Sequence, residues 1–196
     1  MIKVFVLQFF RSKSRISEQI RYNARMTPPN ELLFDLETLI NSAQPSRILL
    51  LGNVDPAFLD EYVSQKQLIN QSCEVIHYGV DELDQIWDLN ERFDVGVVLN
   101  LFEHLEKTKG HQVLSRLRDV LTPQYCIALP LSQQSSESPW QLTDLFSFAL
   151  SKVSSYDTNE IGLTLFKYNI EDYKQTPDWL NADNWANPHL WGKYWW

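Results

Sequence analysis

The stretch that most constrains this chain is Arg92 to Glu106, RFDVGVVLNLFEHLE. Asp94 opens an apolar run, Val95 to Leu99, that is rich in valine and too short for a helix. Asn100 ends the run, and Glu103 and His104 follow before a helical pattern sets in. A run that is apolar at every position is buried on both faces, as strands of a parallel sheet are. Open α/β sheets place ligands beyond the carboxyl ends of such strands, where Asn100, Glu103 and His104 fall.

The flanking sequence repeats the pattern. Ile48 to Leu51 is a second apolar run, ended by Gly52, and Asp55-Pro56 supplies an N-cap and first turn for a helix carrying Phe58, Leu59, Tyr62 and Val63. Strand, glycine turn, helix is the opening unit of a doubly wound sheet. Glu74 to Tyr78 is a further strand, stopped by Gly79. Beyond the central run, Val113, Leu114, Leu117, Val120 and Leu121 mark one face of a helix closed by Thr122-Pro123. Tyr125 to Leu129 is the next strand, and Leu131 to Pro139 reads as a mobile, serine-rich loop without a nucleophile-elbow pattern. A helix over Trp140–Leu150 buries Leu142, Leu145, Phe146 and Ala149. Lys152–Tyr156 and Leu163–Asn169, close in sequence, then form an antiparallel pair.

Ahead of this core, Ile2 to Phe10 is a strand or a buried helical turn, and Ser14 to Arg25 is helical. Thr27-Pro28-Pro29 breaks the chain before a helix capped by Asn30, with Leu32, Leu33, Leu36, Leu39 and Ile40 on one stripe. Behind it, Asp178 to Trp196 holds five of the seven tryptophans. Three placements suit that tail: packing on the domain's own surface, a partner or homo-oligomer interface, or a lid over a cleft. The whole chain reads as one domain over 1–196, with N-terminal elements over 1–45, an α/β core over 46–170 and a tail over 171–196.

Composition narrows the function classes. A formal net charge of -8 opposes a nucleic-acid surface, which needs a lysine and arginine excess. Two cysteines, Cys73 and Cys126, make no disulfide framework, and the first apolar run is too short to span a bilayer. His77, His111 and His189 share no metal-ligand spacing. The expectation is a cytoplasmic protein without metal, nucleic-acid or membrane partners.

ILLLGN before a helix, RFDVGVVLNLFEHL, and HQVLSRLRDVLTP before the next strand together resemble the class I S-adenosylmethionine-dependent methyltransferases. The resemblance implies a three-layer, Rossmann-like α/β fold with a mostly parallel sheet and a C-terminal antiparallel pair. It implies S-adenosylmethionine as cofactor, held by Gly52, Asn53 and Asp55 after the first strand, Gly79 and Asp81 after the second, and Asn100 and Glu103 after the central one. His104 is the candidate general base; the alternative is that Glu103 and His104 cap or pair within the following helix start.

The departures from the family lie on the cofactor side. Leu50 stands where an acid receives the cofactor's ammonium. Val54 and Pro56 stand where glycines let the backbone approach, and are expected to fill that space. Between Gly52 and Asp94 there is room for one strand where the family has two. Glu74–Tyr78, followed by Asp81, resembles the later of the two, which precedes the adenine-reading acid; that leaves the ribose-binding strand missing and Ile2–Phe9 as its substitute. Gln124-Tyr125 replaces a structural glycine pair. The expected function is therefore a degenerate methyltransferase-like scaffold, with weak or lost cofactor binding, acting as a binding module. The alternative is an active methyltransferase on an unknown acceptor.

Overall fold

The computed structural model describes residues 28–131, 140–158, 161–173, 187–190 and 193. Ile2–Phe10, Ser14–Arg25, the serine-rich segment after Leu131 and all five tail tryptophans lie outside the described residues, and so do the expectations placed on them.

Six strands form one sheet in the order β2-β1-β3-β4-β6-β5. They are β1 (Arg47–Leu51), β2 (Glu74–Tyr78), β3 (Val95–Leu99), β4 (Gln124–Pro130), β5 (Ser151–Thr158) and β6 (Ile161–Asn169). The first four run parallel, while β6 is antiparallel to both β4 and β5. The sequence runs become strands for the reason expected, since every residue of β3 is buried.

Alternation along β1 divides the core in two. Ile48 and Leu50 pack with Leu32, Leu36 and Ile40 of α1 (Asn30–Ala43). Leu49 and Leu51 face the other way, toward Val98, Ile127, Val113 and Leu117. The last two come from α3 (Lys107–Arg116) and the five-residue π turn that continues it, Leu117–Leu121. Helix, sheet, helix is the three-layer α/β arrangement expected, and each fully buried leucine contributes about 1.5–3 kcal/mol to it. Gly96 makes room for the start of β4, its neighbour in the sheet, because a Cβ there would sit 3.0 Å from that of Tyr125 and 3.3 Å from Thr122 Cγ2.

Asp94 fastens the amino ends of the strands. One of its carboxylate oxygens accepts the backbone N–H groups of Ser46 (2.7 Å) and Arg47 (2.9 Å), tying the start of β1 to that of β3. Arg47 in turn pairs with Glu74 and Glu91. The acid that opens the central stretch is thus a clamp within the fold.

Several expectations are corrected. Asn30 is the first residue of α1 and not its cap; Pro29 occupies that position with no side-chain bond, because Pro29 rather than Asn30 keeps the extended backbone. The helix after β1 is split into a 3-10 turn, Pro56–Leu59, and α2 (Asp60–Leu68). The helix expected over Trp140–Leu150 is only α4 (Leu142–Ser147), since Ala149 turns left-handed at φ 60° and ends it. Leu145 is buried, but Leu142 and Phe146 stay exposed. Lastly, β2 is bonded directly to β1, with Leu49 opposite Ile76. It occupies the inner position, so no strand is missing next to β1; among the described residues the sheet simply ends at β2.

Candidate functional site

The carboxyl ends of β1, β2 and β3 meet at Gly52. Its φ is 112°, in the left-handed half of the map, and a Cβ would lie 1.9 Å from the Leu99 carbonyl oxygen. Only glycine passes there, and what it makes way for is the backbone of β3. The Gly52 N–H donates to Tyr78 O at 2.9 Å, which ties β1 to β2.

Asn53 and Asn100 close the junction reciprocally. The Asn53 N–H donates to Asn100 O (3.2 Å), and Asn100 Nδ2 donates back to Asn53 O (3.1 Å). Asn53 Oδ1 accepts the N–H of Val80 at 3.3 Å, bringing in the start of the 3-10 helix Val80–Trp87. Asn100 holds this position at φ 49°, a left-handed conformation that asparagine tolerates better than most residues.

Two histidines complete the network. His77 Nε2 lies 2.8 Å from Gly52 O, and since a carbonyl only accepts, this nitrogen carries the proton. With Asn100 Nδ2 turned to Asn53, its Oδ1 is left as the acceptor for His104 Nε2 at 3.2 Å. Burial lowers the His104 pKa, and Asp81 nearby offsets part of that effect. Asn100 Oδ1 only accepts, so His104 Nε2 carries the proton at this contact and is a donor there and not a base.

Glu103 behaves differently. It sits beside His104 on the 3-10 turn Phe102–His104, and both of its carboxyl oxygens are shut off from solvent without a hydrogen-bond partner among the described residues. Burial pushes its pKa up to about 7. An unpaired buried carboxyl costs free energy unless it is neutralised or meets a cation. Glu103 is the acid beside this junction whose carboxyl oxygens meet no donor among the described residues.

The remaining sequence candidates scatter. Asp55 accepts the Ala57 N–H at 3.1 Å and caps its helix as expected, with its carboxylate on the surface. Val54 turns away from the junction and is buried with Leu32, Leu36 and Leu99 under α1, which corrects the expectation that it fills the cofactor space. Gly79 meets nothing closer than 3.6 Å that would exclude a side chain. Asp81 is exposed and contributes charge near His104. Gly52, Asn53, Asn100 and His104 thus come together, while Asp55 does not. His77 and Val80 belong to the network without any sequence signal having marked them.

The fit to a nucleotide-like cofactor at the first turn is poor. Leu50 is fully buried under α1 where the ammonium-receiving acid would stand. The N–H groups of Asn53 and Val54 are both spent inside the protein, on Asn100 O and Gly52 O. Among the described residues, no group of three His, Cys, Asp or Glu side chains is placed to hold a metal ion. No described helix is long and apolar enough to cross a membrane.

The strand order, with β6 reversed between β4 and β5, defines a Rossmann-like fold of the class I methyltransferase type. The chain belongs to DUF6231, a family of unknown function, whose sequence profile matches residues 30–196. No curated protein matches it. Among solved structures it is similar to magnesium protoporphyrin IX methyltransferase from Synechocystis PCC 6803 with bound SAH, at 8% identity and a TM-score of 0.45, over 84% of this chain and 98% of that one. It is also similar to TehB from Haemophilus influenzae, at 10% identity and TM-score 0.43, over 74% of this chain and 64% of that one. A third is an O-methyltransferase from Bacillus cereus in complex with SAH, at 12% identity and TM-score 0.43, over 80% and 88%. With TM-scores below one half, these likenesses add nothing to what the strand order already carries.

Proposed function

We propose that this chain is a methyltransferase-fold scaffold that binds S-adenosylmethionine weakly or not at all and serves as a binding or interaction module. The observation that carries the reading is the reciprocal Asn53–Asn100 pair. It uses for the protein's own cohesion the backbone groups that a cofactor at this turn would need. The scaffold acts in the cytoplasm as a single domain, and its tryptophan-rich C-terminal segment, Asp178–Trp196, is the surface for a protein partner or a second copy. Tryptophan is a favoured anchor at such interfaces.

Thermal unfolding of the full chain with S-adenosylmethionine, and separately with its demethylated product, tests the reading. A ligand at a hundredfold excess over its dissociation constant stabilises a folded protein by about 2.7 kcal/mol. The expected result is no shift at millimolar concentration. A saturating shift with either compound would overturn it.

One observation favours a second reading, an active methyltransferase on an unknown acceptor. Glu103 is an acid with no partner at the carboxyl edge of the sheet, and a cationic ligand would satisfy it. On that reading the cofactor supplies a methyl group, Asn100 and Glu103 hold it, and the thermal shift is abolished in Glu103→Gln.

A further inference from the structure

A groove of about 500 Å³ lies at the opposite edge of the sheet, where β3 and β4 begin and β6 ends. Its wall includes Arg92, Arg118, Asp119, Thr122, Phe146 and Tyr168. That volume is within the range of about 300–1,000 Å³ typical of small-molecule sites. Nothing said above about the methyltransferase-type fold assigns it a role.

Its electrostatics run against those of the chain. The net charge is -8, yet two guanidinium groups face one carboxylate here. Arg118 is held in place: Nε and Nη2 donate to the two carboxylate oxygens of Asp119 at 2.8 and 3.4 Å, and the guanidinium lies over the Phe148 ring with 5.5 Å to its centroid. Its Nη1 makes no hydrogen bond among the described residues, and neither does the Arg92 side chain. A fixed guanidinium whose Nη1 is still open can donate to a carboxylate or phosphate.

The surrounding backbone is unusual in two independent ways. Arg118 and Asp119 sit on the π turn, closed by the Thr122 N–H on Leu117 O at 2.9 Å. π turns are uncommon and recur at functional sites. Across the groove, Ala149 is held at φ 60°, a strained conformation for a residue with a Cβ.

Behind the wall lies a third feature. Tyr125 is 1% exposed, stacks on Tyr168 with 5.1 Å between centroids, and its hydroxyl has no hydrogen-bond partner among the described residues. A buried, unpaired hydroxyl costs about 1–3 kcal/mol. At the rim, Phe146 leaves 53% of its surface exposed, an aromatic face with nothing described against it.

We infer that this groove binds a small planar ring compound bearing one acid group, its ring on Phe146 and its acid on Arg118 and Arg92. A ring supplies the aromatic contact Phe146 lacks, and an acid completes the excess positive charge. The inference goes beyond the function proposed above and does not depend on it.

Isothermal titration of the full chain with naphthoate, adenosine monophosphate and the neutral naphthylmethanol tests it. The expected result is saturable binding of at least one acid, about tenfold or more tighter than naphthylmethanol, reduced about tenfold by Arg118→Gln and by Phe146→Ala. Arg118→Lys should recover part of the loss. Binding of naphthoate alone identifies an aromatic carboxylate as the ligand class, and binding of adenosine monophosphate alone a phosphate-bearing nucleotide. No saturable binding of either acid overturns the inference, and so does binding that both variants leave unchanged. Phe146 is exposed, so its variant keeps the test decisive even if Arg118→Gln unfolds.

Discussion

The two edges of the sheet treat polar groups in opposite ways. At the carboxyl edge, Gly52, Asn53, His77, Asn100 and His104 turn their donors and acceptors toward one another and lace three strands together. At the amino edge, between Arg118 and Tyr168, two guanidinium groups and a left-handed alanine surround open volume, with the buried Tyr125 behind them. In a doubly wound sheet the first edge is the usual place for a ligand. Here it is the one whose polar capacity is nearly used up. Fold type alone thus does not say which end of the sheet does the work.

The sharpest way to break this contrast is Gly52→Ala. A Cβ pressed 1.9 Å from the Leu99 carbonyl, at φ 112°, should cost at least about 3 kcal/mol in urea denaturation. A variant as stable as the wild type would mean that the strand ends are not joined as described.

Glu103 offers a test through pH. Its folded pKa of about 7 lies above the reference 4.5, so the native state binds this proton more tightly than the unfolded chain. The resulting stabilisation is full below about pH 4.5 and is lost as pH rises through 7. It amounts to about 3 kcal/mol. Glu103→Gln lacks the group, so the variant should gain on the wild type as pH is raised from 5 to 8, read by urea unfolding at each pH. If the difference between the two proteins is the same at both, the carboxyl is not buried and unpaired.

Asn100→Ala removes the bond to Asn53, the acceptor for His104 and a residue suited to φ 49°. A cost of about 2 kcal/mol follows, lowering Tm by about 4–8 °C in a chain of this size. Asn100→Gly, which keeps the conformation but loses the bonds, should fall between the two. Equal losses would show that hydrogen bonding, not backbone strain, accounts for the whole effect.

At the amino edge the sign reverses. Ala149→Gly relieves a left-handed residue and should stabilise by about 0.5–1 kcal/mol in thermal or urea unfolding. Destabilisation there would remove strain from the description of the groove.

The strands were legible because burial on both faces leaves an uninterrupted apolar run. Glu74–Tyr78 was read with its observed limits, and Ile48–Leu51 and Asp94–Leu99 each to within one residue. Gly52 was legible as a turn. The partner that makes it necessary, the Leu99 carbonyl, is distant in sequence and could not be. The position of β2 beside β1 escaped for a related reason, since an apolar run states that a strand is buried and not which neighbour it takes. The lacing of Asn53 to Asn100 and Val80 depends on where three strand ends meet, and no spacing encodes that. The amino-edge groove draws its wall from segments spread between Arg92 and Ile170, each unremarkable alone. Phe146 was read as core from its helical spacing; the helix that would have buried it stops after Ser147.

The reversed strand β6 has a consequence for how the chain is made. It pairs Gln124 with Asn169 and Pro130 with Leu163 on one side, and Ser151 through Thr158 on the other. Until it leaves the ribosome, β4 has an open, almost wholly apolar edge, of the kind that invites pairing with other chains. Among the described residues the sheet is finished by the strand synthesised last, and a chain interrupted before Asn169 would expose β4 to its neighbours.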